Sequence, residues 1–170
     1  IDIEKFRRKS EFLRDSSKKA LEAADIDMLR GIEGESASVY FSVFDDMILQ
    51  QKDDFYFKVR SKRPPLDNAN ALLSFAYVLL THDCASALES VGLDAYVGYL
   101  HRDRPGRESL ALDLMEELRP CLADRFVLTL INNRIIKADS FEFRESGAVL
   151  LTDDGRRTFV QKWQERKKET

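Results

Sequence analysis

Asp67-Asn68-Ala69-Asn70-Ala71-Leu72-Leu73-Ser74-Phe75-Ala76-Tyr77-Val78-Leu79-Leu80 is the stretch on which the fold turns. Asp67 is an N-cap residue type, because its carboxylate can accept from the free N–H groups of a first helical turn. From Leu72 to Leu80 the apolar residues run nearly all the way round a 3.6-residue period. A helix without a polar face belongs at the centre of a bundle. The apolar run from Ala71 is about half of the ~20 residues a bilayer requires, so no membrane partner is expected.

On the N-terminal side, Arg60-Ser61-Lys62-Arg63-Pro64-Pro65 reads as a loop. A helix capped by Asp25 or Asp27 is expected before it, running to about Gln51. The stretch from Asp2 to Ala24, without Gly or Pro, reads as an exposed helix with a thin stripe of Phe6, Leu13 and Leu21. On the C-terminal side, Gly92 ends the central helix and Ala95 to Leu100 reads as extended. A helix from about Ser109 to Arg119 follows; Pro120 breaks or kinks it, and helical pattern resumes to about Asn133. Phe141 to Arg144 and Ala148 to Leu151 flank Glu145-Ser146-Gly147 as a hairpin, and Thr152 caps a last helix. The fold class is therefore mainly α: a helical bundle around a central apolar helix, with one small β-hairpin near the C-terminus. Residues 1–24 read as a connector helix and residues 25–170 as a helical domain.

The 170 residues suffice for one ordinary domain, and 44% hydrophobic with 34% charged residues is a globular composition. Cys84 and Cys121 form no framework and no CxxC, which points to a reducing, cytoplasmic compartment. The chain begins with Ile1 rather than Met and reads as a piece lacking an N-terminal portion. With 27 basic and 30 acidic residues the net charge is −3, which by itself argues against nucleic acid.

Positions matter more than that sum. At 100° per residue, Ile26, Leu29, Ala37, Tyr40, Phe44 and Met47 lie on the same helix face as Glu33. A carboxylate expected to face the core must find a cation, a metal or a proton, or an arginine such as Arg119 or Arg125. Gly31 and Gly34 beside it leave room for another backbone or a ligand. Asp113, Glu116 and Glu117 share a face of the helix after Ser109, opposite Ala111, Leu114, Met115 and Leu118. This is the spacing of two oxygen ligands, and equally of a solvated surface. His101 could reach that face, whereas His82 reads as structural. Two carboxylates and one imidazole, as Glu33, Glu116 and His101 would supply, suit Mn²⁺ or Mg²⁺ better than zinc. Arg60, Lys62 and Arg63 lie in one loop, and Arg102, Arg104 and Arg107 in another that begins at His101. Both fit a polyanionic substrate, and both fit plain solvation.

Taken together, Leu29-Arg-Gly-Ile-Glu-Gly-Glu35, Arg63-Pro-Pro-Leu-Asp-Asn-Ala-Asn-Ala-Leu-Leu73, Val97-Gly-Tyr-Leu-His-Arg-Asp103, the run from Pro105 to Pro120 and Leu151-Thr-Asp-Asp-Gly-Arg156 resemble one family. It is the CRISPR-associated integrase of the adaptation stage, Cas-one, and the blocks occur in the family's order from about Ala24 to Trp163. The resemblance implies that Glu33, His101 and Glu116 hold one divalent metal, Mn²⁺ or Mg²⁺, with Asp113 a further acidic residue near the metal rather than on it. It implies metal-dependent DNA cleavage and joining, in which the 3′-hydroxyl of a protospacer duplex, or water, attacks a phosphodiester. The CRISPR repeat is the implied target, the second-numbered adaptation protein (Cas-two) the implied partner, and a homodimer the implied full-length assembly. An N-terminal β-rich domain of the family is not found here, so the chain looks like the C-terminal catalytic domain.

Two other readings compete. In one, the chain is a non-catalytic DNA-binding or assembly module and Glu33 is a structural ion-pair partner. In the other, the same ligands serve a hydrolase of small phosphate esters, which would need fewer arginines.

Overall fold

A computed structural model describes residues 2–102 and 104–168; Asp103 of the second basic loop lies outside them. The chain divides into two compact units, Ile1–Met47 with Phe57–Arg60, and Ile48–Tyr56 with Ser61–Thr170.

In the first unit, α1 (Ile3–Leu21) packs against α2 (Ile26–Phe41). Asp25 caps α2, its carboxylate accepting from the Met28 N–H at 2.7 Å. Helices α1 and α2 thus pack together within this unit. Helix α2 stops well short of Gln51. At its end the Ser42 hydroxyl donates to the Val39 carbonyl at 2.7 Å, and aromatic packing holds the chain that follows. The Phe41 and Phe57 rings stack at 5.4 Å, and Phe44, fully buried, lies 4.9 Å from Phe57. The Phe57 N–H donates to Asp45 at 2.7 Å, which holds the chain in a short 3₁₀ turn, Asp45–Met47, where a longer helix would carry these rings apart.

The second unit is built on α3 (Asn68–Ser90), capped by Asp67 as the sequence indicates, with its carboxylate accepting from the Asn70 N–H at 2.7 Å. From Asn68 to Leu73 every residue of α3 is buried; further along, Val78 reaches solvent. By length and composition α3 would also pass for a bilayer span, contrary to the shorter apolar run counted in the sequence. Its surroundings identify it as a core helix, because α4 (Ser109–Leu118), α5 (Arg125–Asn132) and the second hairpin strand pack on it. Between α4 and α5 the chain does not break at Pro120. Pro120 has no N–H to return to the carbonyl four residues back, and the turn widens into a π-helix, Arg119–Asp124.

The hairpin pairs β1 (Phe141–Phe143) with β2 (Val149–Leu151), antiparallel, with Phe141 opposite Leu151. Gly147 turns it at φ +80°. Thr152 caps α6 (Asp153–Lys168), its hydroxyl accepting from the Gly155 N–H. Phe75 of α3, Phe126 of α5 and Phe159 and Trp163 of α6 form edge-to-face contacts of 5.0 to 5.2 Å. Phe159 and Trp163 are fully buried, each contributing about 2–3 kcal/mol of transfer free energy. The observed fold is mainly α with one small hairpin near the C-terminus, built around the apolar helix singled out at the start.

Candidate functional site

The segment from Ala95 to Leu100 is not a strand; it is an irregular turn whose shape is imposed from outside. The Leu110 N–H donates to the Ala95 carbonyl at 2.9 Å, tying the segment to the start of α4. Gly98 lies so close to Ser109 that a Cβ there would stand 2.6 Å from the Ser109 Cβ and 2.8 Å from its carbonyl carbon. Only glycine permits that approach.

Asp113, one turn into α4, then gathers the end of the segment. Its Oδ2 accepts from the N–H of Tyr99 at 2.6 Å and of Leu100 at 3.0 Å. Its Oδ1 accepts from the N–H of His101 at 2.9 Å and lies 2.7 Å from the His101 Nδ1. An ionised carboxylate only accepts, so the Nδ1 carries the hydrogen. Partial burial opposes the charge on Asp113, but the four hydrogen bonds outweigh it and hold the carboxyl below the usual carboxylate range. Four donors also use up the four lone-pair positions of the group. Asp113 is thus a clamp on the loop.

Glu116, one turn further along α4, is gripped differently. The guanidinium of Arg119 donates from Nη1 to both of its oxygens. That guanidinium stacks 4.6 Å from the centroid of the Tyr77 ring on α3. The Tyr77 hydroxyl donates to Asp124 Oδ1 at 2.6 Å, and Asp124 itself is 1% exposed. Burial, followed by the Asp124 charge, pushes the Tyr77 phenol far up, so it remains a donor. Burial works against the charge of Arg119, yet Tyr77 and Glu116 raise its pKa further.

The three acids of α4 therefore have three different fates: Asp113 holds the loop, Glu116 faces Arg119, and Glu117 is exposed. Arg119, weighed in the sequence as a partner for Glu33, belongs to Glu116. Glu33 is exposed on α2, none of whose residues is fully buried among the described residues, so the expected core-facing carboxylate is corrected. The apolar stripe around it is only partly covered: Ile26 is 43% exposed, while Phe44 beyond the helix end is buried. A Cβ on Gly31 or Gly34 would meet nothing within 4 Å, so neither glycine serves a close approach. Of the basic residues, Lys62, Arg63, Arg102 and Arg104 are exposed, whereas Arg60 and Arg107 are half-buried. His82 is exposed, and Asp83 beside it accepts from the Trp163 indole at 2.8 Å.

The sequence reading missed Tyr77, Asp124 and the role of Arg119. A carboxylate in the otherwise apolar run Leu122-Ala123-Asp124 and a lone phenol on the most apolar helix were the available signals.

Among the described residues no three His, Cys, Asp or Glu side chains converge on one point. The donor chemistry around His101 nonetheless fits a divalent metal. With Nδ1 committed to a carboxylate, a ligand bond from the ring must come from Nε2, and carboxylate-held imidazoles are the usual form of metal-binding histidine. Glu116 offers a hard oxygen donor of the kind Mn²⁺ and Mg²⁺ take.

Comparison with known proteins places these residues in context. The family model described as CRISPR associated protein Cas1 matches residues 2–165. The CRISPR-associated endonuclease Cas1 2 of Rhodospirillum rubrum is 64% identical over 147 residues, 86% of this chain and 43% of that protein. The chain thus spans less than half the length of this curated relative. Among solved structures, a chain of a partial Cas6-RT-Cas1–Cas2 complex superposes with a TM-score of 0.87 at 28% identity, covering 98% of this chain and 50% of that one. A casposase bound to integration product gives 0.77 at 26% identity, covering 95% and 52%.

Proposed function

Because the chain belongs to the Cas1 family, we propose that it is the catalytic part of a metal-dependent DNA endonuclease and integrase of CRISPR spacer acquisition. The observation that carries this is the clamp of Asp113 on His101, which occupies Nδ1 and leaves Nε2 as the ring nitrogen a ligand bond would use. The solved casposase with its integration product supports a strand-transfer reaction on DNA, and the Cas1–Cas2 complex supports Cas-two as a partner. The protospacer duplex and CRISPR repeat as substrates, a homodimer in the full-length protein and a cytoplasmic location complete the reading.

The proposed ligands of Mn²⁺ or Mg²⁺ are Glu33, His101 and Glu116. When bound, the ion supplies Lewis-acid stabilisation of phosphodiester oxygens and lowers the pKa of the attacking hydroxyl. The protein's own residues do the rest. Asp113 holds His101 in one tautomer and one orientation, and Arg119 keeps the Glu116 carboxylate from rotating. Arg102 and Arg104 are exposed beside His101, where guanidinium groups bind phosphates of a polyanionic substrate. A −3 chain can bind DNA in this way, because affinity follows the local field rather than the sum.

The test is Mn²⁺-dependent cleavage and strand transfer by the full-length protein carrying Glu33→Ala or His101→Ala. Both variants should fold and lose activity. Wild-type-like activity in both would overturn the assignment. A crystal soaked in Mn²⁺ should give an anomalous peak at His101 and Glu116; no peak in an accessible site would favour the non-catalytic DNA-binding reading.

A further inference from the structure

We propose that Asp124 is a positioning residue for the Glu116 carboxylate, acting through the Tyr77 ring and the Arg119 guanidinium. The inference rests on the reading of Glu116 as a metal ligand and deepens it. Asp124 and Glu116 are joined through Tyr77 and Arg119, and Arg119 meets Tyr77 both at the ring face and by a side-chain hydrogen bond. The Asp124 carboxylate accepts from the Tyr77 hydroxyl at 2.6 Å, the ring carries the Arg119 guanidinium at 4.6 Å, and Arg119 donates to both oxygens of Glu116.

A carboxylate is costly to bury, and the π-helix around Asp124 would pack as well with an apolar residue there. A buried hydrogen-bonded anion does something an apolar residue cannot: it fixes the direction of its donor. Tyr77 sits on the long core helix, and its ring would otherwise swing about its χ angles. Anchored at the hydroxyl, the ring presents one face at a fixed place. A guanidinium lying on that face has its plane fixed as well. Arg119 then offers its N–H groups to Glu116 in a single orientation. The widened turn at Pro120 contributes by placing Arg119 and Asp124 at opposite ends of one π-helix, both facing α3. His101 is held by a carboxylate directly; Glu116 is held by a carboxylate at third hand.

The experiment measures Mn²⁺ affinity by titration calorimetry on the full-length protein, with cooperative melting as the check of folding. Tyr77→Phe keeps the ring and removes the hydroxyl's links to Asp124 and Arg119, while Asp124→Ala removes the acceptor alone. Each should weaken Mn²⁺ binding by about 10–100-fold, the usual effect of an outer partner. Asp124→Asn retains an acceptor oxygen and should restore most of that loss. Asp124→Ala added to Tyr77→Phe should weaken binding no further, because Asp124 acts through the Tyr77 hydroxyl. Unchanged affinity in folded Tyr77→Phe, or losses that multiply, would overturn the proposal.

Failure of the wider reading is separable. If Glu116→Ala binds Mn²⁺ like the wild type, Glu116 is not a ligand. The crystal structure of Tyr77→Phe then still decides the positioning role: Arg119 should leave the ring and Glu116 should change rotamer. A retained Arg119–Glu116 pair in the same place refutes it.

Discussion

The Nδ1 of His101 stands 2.7 Å from Oδ1 of Asp113, and the same carboxylate accepts the backbone N–H groups of Tyr99, Leu100 and His101. One side chain on a helix thus fixes both a ring and the loop that carries it. Asp113→Ala should leave three backbone donors without their partner and cost about 1–3 kcal/mol. Hydrogen exchange at Tyr99, Leu100 and His101 should speed up while α3 keeps its protection; uniform exchange across the chain would contradict the clamp.

The same carboxylate makes stability depend on pH in a stated direction. Its folded pKa is lowered by those hydrogen bonds despite burial, so the unfolded state binds more protons in acid. The contribution is fully present above the unfolded value of about 3.9 and is lost as pH falls through the lower native value. Denaturant melts of wild type and Asp113→Ala should therefore differ most near neutral pH and converge in acid. A gap that widens in acid would refute this.

Gly98→Ala places a methyl group 2.6 Å from the Ser109 Cβ and against its backbone. The segment must move, at about 1–3 kcal/mol for overpacking. The expected result is a lower melting temperature together with weakened Mn²⁺ binding, since the displaced segment leads directly into His101. Gly31→Ala, at an exposed helical site with open space, should be neutral or stabilising by up to about 1 kcal/mol.

The aromatic cluster of the second unit sets its stability. Phe159→Ala removes a fully buried ring that touches Phe75 and Phe126, and should cost about 3–5 kcal/mol. Phe143→Ala, on a 69% exposed residue of the hairpin, should change stability by less than about 0.5 kcal/mol. Chemical melts of the two variants give the comparison.

The two cysteines should differ sharply toward iodoacetamide. Cys84 is buried, and burial with the neighbouring Asp83 charge pushes its thiol up, whereas Cys121 is exposed. Mass spectrometry of the native protein should find Cys121 alkylated first, with Cys84 following only on unfolding. Equal rates in the native state would show that α3 opens readily.

Features that depend on near neighbours along the chain are legible in its sequence. Asp25, Asp67 and Thr152 cap their helices because a cap bonds N–H groups two or three residues away. The hairpin and the central helix follow from a turn glycine and an apolar run in the same way. The family blocks likewise survive in linear order.

Which distant residues meet follows from how the helices pack. Helical periodicity carried α2 past Phe41, but the helix stops there and the Phe41, Phe44 and Phe57 rings pack on one another. The same periodicity aimed Glu33 at a core that does not cover it. Spacing put Asp113 and Glu116 on one face, yet could not say that one would close on a loop and the other on an arginine. Tyr77 and Asp124, 47 positions apart, gave no joint signal at all. Partnerships between charged and polar groups are set by distance and desolvation across elements, and neither quantity exists until the helices have packed.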